Sequence, residues 1–290
     1  MLWFYLTILA YLFNAFAFIL DKYLLVNYNP RPFAYAFWVA ILSTFAVALI
    51  PFGVVAPGAG YLLIAIISGS AFFIGLIFLY KSMQITDISV ATTMSGVATA
   101  AFSYFLAVPV LGEPSGVFNS AAIILLIGGT LFLGRTDRKI WFLAIAAGIF
   151  FSVSFVFLKI SFNLSDFANG FFWTRVGFVG TALVSLISAS FRNDVRQSFR
   201  GANIKTGSLF ISAKILAAAG FILLYYSIQL GEVSVVNSLL GFQFLFIFIL
   251  ALLFRRIIPH IEENIDRRYI INKIVGICLV IAGFLLILIL

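Results

Sequence analysis

Apolar stretches long enough to cross a bilayer follow one another along the whole chain, each closed by charged residues, proline or glycine. A helix rising about 1.5 Å per residue needs roughly 18 to 20 apolar residues to span the hydrocarbon core. Ten segments meet this, at residues 2–21, 33–53, 60–81, 88–108, 116–134, 140–159, 168–190, 206–229, 233–254 and 270–290. Apolar side chains occupy nearly every face of each, whereas barrel strands would alternate apolar and polar positions. The expected fold class is therefore all-α integral membrane, with ten transmembrane helices. Pro30, Pro32, Pro51, Pro57, Pro109, Pro114 and Pro259 fall in loops or near segment ends, where a missing N–H costs least. The longest connections, near 191–205 and 255–269, are short and charged, so no soluble domain is expected.

The pattern occurs twice. Leu79-Tyr80-Lys81-Ser82-Met83-Gln84 returns 145 positions later as Leu224-Tyr225-Tyr226-Ser227-Ile228-Gln229. The same offset pairs Gly75 with Gly220, Ser89 with Ser234 and Gly96 with Gly241. Phe18 and Lys22 pair with Phe155 and Lys159 at an offset of 137, and Phe37-Trp38 with Phe172-Trp173 at 135. Five segments per copy is an odd number, so the second copy must enter from the opposite side. The expectation is two inverted five-helix repeats, 1–138 and 139–290, about an axis in the membrane plane. The seam between such halves is where carriers hold their substrates. The internal copy of the first segment, and the lack of a basic residue before it, argue against a cleaved leader.

Composition narrows the function. Hydrophobic residues make up 63% of the 290 and charged residues 10%, which leaves no material for a water-facing surface. The net charge of +8 reads as topology, not as a footprint for nucleic acid. Fifteen lysines and arginines, from Lys22 to Lys273, fall on one side of the alternating loops, and only Lys159 falls on the other. Positive residues stay in the cytoplasm, so this count puts both termini outside. The single cysteine, Cys278, excludes an intramolecular disulfide and reads as a packing residue; the single histidine, His260, sits in a charged loop. No paired acids, His–Glu cluster or Ser–His pair falls at membrane depth, which weighs against an intramembrane enzyme. No Gly-rich Lys-Ser/Thr motif is present, so neither direct ATP use nor a cofactor is expected.

Polar residues inside apolar segments are costly and mark candidate sites. Lys214 lies about 12 Å into the eighth segment, sharing a face with Ala218, Phe221 and Tyr225. With no acid assigned near it, it snorkels, is neutral, or meets an anionic group. Arg175 is shallower, and snorkelling or bonding to free carbonyls is as good a reading as ligand contact. Asn14 shares a face with Tyr11 and Thr7 and must find a partner in another helix or in a substrate. Thr92, Ser95, Thr99 and Ser103 form one face, and Asn237 and Gln243 lie in the ninth segment; each set packs helices or lines a cavity. Trp38 and Trp173 are a symmetry pair near segment starts, either an interfacial belt or cavity lining. The ten carboxylates fall at or near segment ends, which weighs against proton–cation exchange through a midplane acid. Together these features suit a largely apolar cavity with a few hydroxyls and amides and one positive charge.

The stretch from Leu79-Tyr80 to Gly134 carries a Tyr-x-Ser-x-Gln turn, then Asp87-Ile88-Ser89-Val90-Ala91, a small-residue helix, Leu111-Gly112-Glu113-Pro114 and a segment ending in Gly128-Gly129. With the duplication, it resembles the drug/metabolite transporter superfamily, specifically the ten-span EamA-type carriers, over the whole chain. The second copy keeps Gly231-Glu232-Val233-Ser234-Val235 but has Phe254-Arg255-Arg256 in place of Gly-Glu. The resemblance implies a monomer-sized bundle in the cell membrane. It would move a small metabolite, such as an amino acid or another zwitterion or anion, by alternating access between the repeats, often outward. The alternatives are a flippase for a lipid-linked small molecule, which a side opening between helices would favour, and a non-transporting membrane scaffold. The family habit keeps both termini in the cytoplasm, opposite to the charge count. A reporter fused after Leu290 separates the two: the charge count expects it outside, and a cytoplasmic signal favours the family arrangement.

Overall fold

The computed structural model describes residues 2–28, 30–113, 137–200, 204–254 and 267–288, with 121, 125, 128 and 129 between. The expected fifth segment, 116–134, lies almost wholly outside the described residues, as do His260 and most of the 255–269 connection. The described chain is helical: α1 (Leu2–Asn27), α2 (Pro32–Leu42) running into a 3-10 helix (Ser43–Phe52), α3 (Ala59–Ile85), α4 (Ile88–Leu111), α5 (Arg138–Leu164), α6 (Phe167–Ser185), α7 (Ala189–Arg200), α8 (Ile204–Leu230), α9 (Val233–Ser238), α10 (Leu240–Phe254) and α11 (Arg267–Leu288). Among the described residues no strand occurs, and seven helices or helix pairs are long and apolar enough to cross a membrane. The architecture is that of an all-α, multi-pass membrane protein.

Three sequence expectations need correction. The seventh segment was expected to run unbroken over 168–190, but α6 stops at Ser185 and the chain bends by 103° into α7. The 191–205 connection is therefore mostly a helix. Phe191 of α7 stacks on Phe33 with ring centroids 4.0 Å apart, and Val195 is buried. Arg192 and Arg196 stay exposed, and Arg192 Nη1 donates to the Leu186 and Ile187 carbonyls at 2.9 and 3.0 Å, capping α6. An amphipathic helix of this kind lies at an interface. Cys278, read as a packing residue, is exposed. Lys22 and Lys159, read as loop charges, are structural: Lys22 Nζ donates to the carbonyls of Met83 and Thr86 at 2.6 and 2.8 Å. Its sequence partner Lys159 donates to Ile228, Gln229 and Gly231 at 2.9, 3.0 and 2.8 Å. Each lysine neutralises the orphan carbonyls at the end of a long helix, α3 or α8. Both leave the topology count without changing its sign.

Small residues set the helix spacing. At the crossing of α3 and α6, a Cβ on Gly69 would overlap the backbone of Thr174 to Phe178, and one on Gly177 would meet Ala65 O and Ile66 Cα at 2.7 Å. The two backbones are in contact, which side chains of any size would prevent. α1 runs along α8 in the same way, where a Cβ on Gly220 would overlap Asn14 Oδ1.

The Leu111-Gly112-Glu113 sequence has a mechanical role. Gly112 adopts φ +68°, a left-handed conformation that ends α4 and turns the chain back. Glu113 is thereby buried and accepts hydrogen bonds from the backbone N–H groups of Val233 and Ser234 at 2.7 and 3.1 Å, and from the Ser234 hydroxyl. It caps the N-terminus of α9 from another helix, where orphan N–H groups and the helix dipole favour a carboxylate. The adjacent Glu232 carboxyl is pushed above its usual range by partial desolvation and then by Glu113, with Lys159 opposing. Glu113→Ala would orphan two buried N–H groups, so the unfolding free energy is expected to fall by about 1–3 kcal/mol, visible as a lower unfolding temperature in detergent. An unchanged temperature would remove Glu113 from this role.

Candidate functional site

Among the described residues a larger and a smaller cavity lie between the helices. The larger, of about 310 Å³, is lined by α1, the junction of α2 and the 3-10 helix, α3, α6 and α8. The smaller, of about 60 Å³, is lined by α1, α3, α4, α5, α8, α9 and α10. Phe18, Phe72, Leu76 and Phe221 line both, so these four side chains form the partition between them. Phe72 and Phe221 meet edge to face across it, with centroids 5.2 Å apart.

The larger cavity holds the charges. Lys214 sits ten residues into α8, ~15 Å along its axis. It has the acid that the sequence did not assign to it: Nζ lies 2.6 and 2.7 Å from the two carboxylate oxygens of Asp21. The Tyr35 hydroxyl donates to Asp21 Oδ1 at 2.7 Å, and the rings of Tyr35, Tyr80 and Phe210 surround the ammonium at 4.9, 5.5 and 5.4 Å. Asp21 looked like a segment end because the hydropathy run stops at Asp21-Lys22. The helix continues to Asn27, because each of the two charges finds a partner on another helix. Asp21, expected with the other carboxylates at or near a segment end, instead lies six residues inside the end of α1 and is 1% exposed.

Arg175 is the second cation. It is buried, and among the described residues it bonds no carbonyl. Its guanidinium lies 4.7 to 6.0 Å from the rings of Tyr225, Phe171, Phe72, Phe178 and Phe221. Cation–π contacts of this kind are worth up to ~2 kcal/mol each when desolvated, but they satisfy charge, not hydrogen bonds. Its Nε is buried with no acceptor, and among the described residues no carboxylate lies within ion-pair reach. With Asp21 counted against Lys214, the larger cavity keeps one positive charge in excess. Tyr225 packs beneath Arg175 instead of sharing the Lys214 wall, so its place is to hold the guanidinium. The repeated tyrosines Tyr80 and Tyr225 each lie against a buried cation.

The smaller cavity brings together Tyr11, Asn14, Thr92, Ser95, Thr99, Asn237 and Gln243, seven of the polar residues singled out in the sequence. Thr92, Ser95 and Thr99 donate to the carbonyls four residues earlier, at 2.7, 2.8 and 2.8 Å, so their hydroxyl protons are used within α4. Their oxygens still offer acceptor capacity to the cavity. Asn237 Nδ2 donates to Ser103 Oγ at 2.9 Å, while the amide oxygens of Asn14 and Asn237 are buried without a donor. The crossing formed by α9 and α10 is broken at Leu239, and the Tyr11 hydroxyl donates to the Val236 carbonyl at 2.9 Å beside the break. Irregular backbone at membrane depth persists where it lines a cavity.

Trp38 and Trp173 do not line either cavity. Trp38 Nε1 donates to Ser198 Oγ of α7 and Trp173 Nε1 to the Val55 carbonyl, each at 3.0 Å. Their indoles fasten connecting segments, as interfacial tryptophans do. The sequence reading missed Asp21, Tyr35 and the aromatic collar. A buried lysine demands a partner, and that was the one available signal for Asp21; nothing in the local pattern separates the collar phenylalanines from the other phenylalanines of this chain.

Compared with family models and with curated proteins, the sequence matches none. Among solved structures, a chain described only as "Crystal structure of protein" superposes with a TM-score of 0.55 at 14% identity, over 96% of each chain. At that identity the likeness is one of fold.

The ion pair sets a clear expectation. Asp21→Asn or Lys214→Met alone strands a buried charge and is expected to cost about 3–5 kcal/mol. The double variant removes both charges and is expected to unfold at a higher temperature than either single variant. Thermal unfolding of the four proteins in detergent measures this; additive losses would show that the two side chains are not coupled.

Proposed function

We propose that this chain is a secondary transporter of the drug/metabolite type in the cell membrane. It would be built from two inverted five-helix repeats, 1–138 and 139–290, and would move a small zwitterionic or anionic metabolite with an apolar part. The observation that carries the reading is the pair of cavities divided by one aromatic collar, with an excess positive charge buried in the larger. A carrier working by alternating access needs a site that can face either side through a thin, movable partition. Phe18, Phe72, Leu76 and Phe221 are such a partition: their contacts are apolar and edge-to-face, without a hydrogen bond to break.

The duplication supports the inverted arrangement through chemistry as well as spacing. Lys22 and Lys159, paired at 137, cap helix ends in the same manner, and Tyr80 and Tyr225, paired at 145, each face a cation. A scaffold has no use for a buried guanidinium that lacks an acceptor. In the carrier reading, the substrate carboxylate or phosphate meets Arg175 and Lys214. An ammonium on the same substrate would compete with Lys214 for Asp21. Export is the direction expected from the resemblance.

Counterflow in proteoliposomes with labelled amino acids and organic anions tests the reading. Exchange of at least one solute is expected. Losing a charge-assisted hydrogen bond in Arg175→Gln or Lys214→Ala should weaken that exchange roughly 10- to 100-fold. If no solute exchanges, or if both variants match the parent for the one that does, the carrier proposal fails.

A further inference from the structure

The larger cavity is open on one flank. Leu42 and Phe45 on one edge and Ile211 and Ile215 on the other line it, yet they are 38%, 44%, 51% and 65% exposed on the outside of the protein. A residue that both lines a cavity and faces outward marks its mouth. The depth of this mouth is the informative part. Ile211 and Ile215 lie seven and eleven residues beyond Ile204, ~10 and ~16 Å along α8. Leu42 lies ten residues beyond Pro32, ~15 Å along α2. These are depths within a hydrocarbon core of about 30 Å, well away from the helix ends where a water-filled mouth would lie.

The local backbone fits an opening. One edge is the 3-10 helix Ser43–Phe52, which contains Pro51 and ends at Gly53 with φ +95°. Pro51 cannot donate to a preceding carbonyl, and Ser43 and Thr44 bond back to the Val39 and Ile41 carbonyls. The facing wall of α8 has the small Ala217 and Ala218 between Lys214 and Phe221. The space is thus two-ended. At its inner end lies Arg175, a nine-tenths buried guanidinium whose Nε has no acceptor among the described residues, beside the satisfied Lys214–Asp21 pair. At its outer end lies an aliphatic and aromatic rim exposed on the outside of the bundle.

Resting on the carrier reading, we infer that the substrate of this site is a single-chain amphiphile with an anionic head group. It enters sideways from the bilayer between the 3-10 helix and α8. The head group takes the two-pronged hydrogen bonds that the guanidinium offers a carboxylate or phosphate. The chain stays in the gap, bordered by Phe45 and Ile215. A cavity of about 310 Å³ sits at the low end of small-ligand sites. That suits one head group and the start of one chain better than a glycerol carrying two. Charge selects the sign: an ammonium head group would meet Arg175 with like charge and would have to displace Lys214 from Asp21.

The test uses the full chain in phosphatidylcholine nanodiscs and dodecyl phosphate bearing a diazirine at its chain end. Irradiation is expected to label peptides covering 42–45 and 211–215. Arg175→Gln should lower the labelling at least ~10-fold, Arg175→Lys should keep part of it, and Ile215→Trp, at an exposed position, should lower it by narrowing the gap. Unlabelled dodecyl phosphate should compete, and inorganic phosphate at the same concentration should not. Thermal unfolding of each variant separates lost binding from lost fold, and Ile215→Trp leaves the buried charges in place if Arg175→Gln does not fold. Labelling that Arg175→Gln and Ile215→Trp leave unchanged means a chain lying on the outer surface and overturns the inference. Competition by inorganic phosphate assigns the site to a soluble anion and also overturns it. Amino-acid counterflow without labelling sinks the amphiphile alone, whereas labelling with no exchange of any solute sinks the carrier reading instead.

Discussion

A charge placed in hydrocarbon must be met by an opposite charge or by oriented polar groups, and this constraint organises the helices. The Asp21–Lys214 pair joins α1 to α8 across 193 residues of sequence. Tyr35 brings α2 to the same carboxylate, and Tyr80 brings α3 against the ammonium. Four helices thus converge on one ion pair at membrane depth. Desolvating both partners costs several kcal/mol each, so the pair contributes less to net stability than to deciding which helices meet. The close backbone approach at Gly220 lets α1 and α8 come near enough for it to form.

The same rule is satisfied elsewhere by backbone. Lys22 and Lys159 are absorbed by helix-end carbonyls, and Glu113 by helix-start N–H groups. Arg175 departs from it: its charge is met by five aromatic faces, while among the described residues its Nε has no oxygen to bond. Aromatic faces are weak, non-directional partners for a guanidinium, so an incoming anion gains hydrogen bonds without having to break any. That asymmetry separates the charges that are met by hydrogen bonds from the one met by aromatic faces alone.

The hydroxyl and amide groups of the smaller cavity divide along similar lines. Thr92, Ser95 and Thr99 have committed their protons to their own helix, so they present acceptors. Asn14 and Asn237 keep unbonded oxygens, and Tyr11 holds the broken stretch between α9 and α10. This side accepts hydrogen bonds, whereas the larger cavity carries positive charge. A substrate crossing the collar of Phe18, Phe72, Leu76 and Phe221 would exchange one kind of partner for the other. The collar itself offers neither kind of partner.

The membrane-spanning helices were legible in the sequence because hydropathy is a local property, and a run of about 20 apolar residues has few other stable states. The recurrence of Leu-Tyr-x-Ser-x-Gln at an offset of 145 is local in the same sense: it is a matter of spacing. Seven polar residues were conspicuous because each lies within an apolar run, and the structure gathers them around one cavity. What the sequence could not determine is pairing. Asp21 was misplaced because hydropathy ends where charges begin, while the helix ends where its charges run out of partners. The break at Ser185, the amphipathic α7 and the aromatic collar were likewise invisible. They depend on contacts between residues far apart in the chain, and at such distances one phenylalanine reads like any other. Local chemistry chose the helices; only the tertiary structure decided which charges meet, and therefore which one is left waiting.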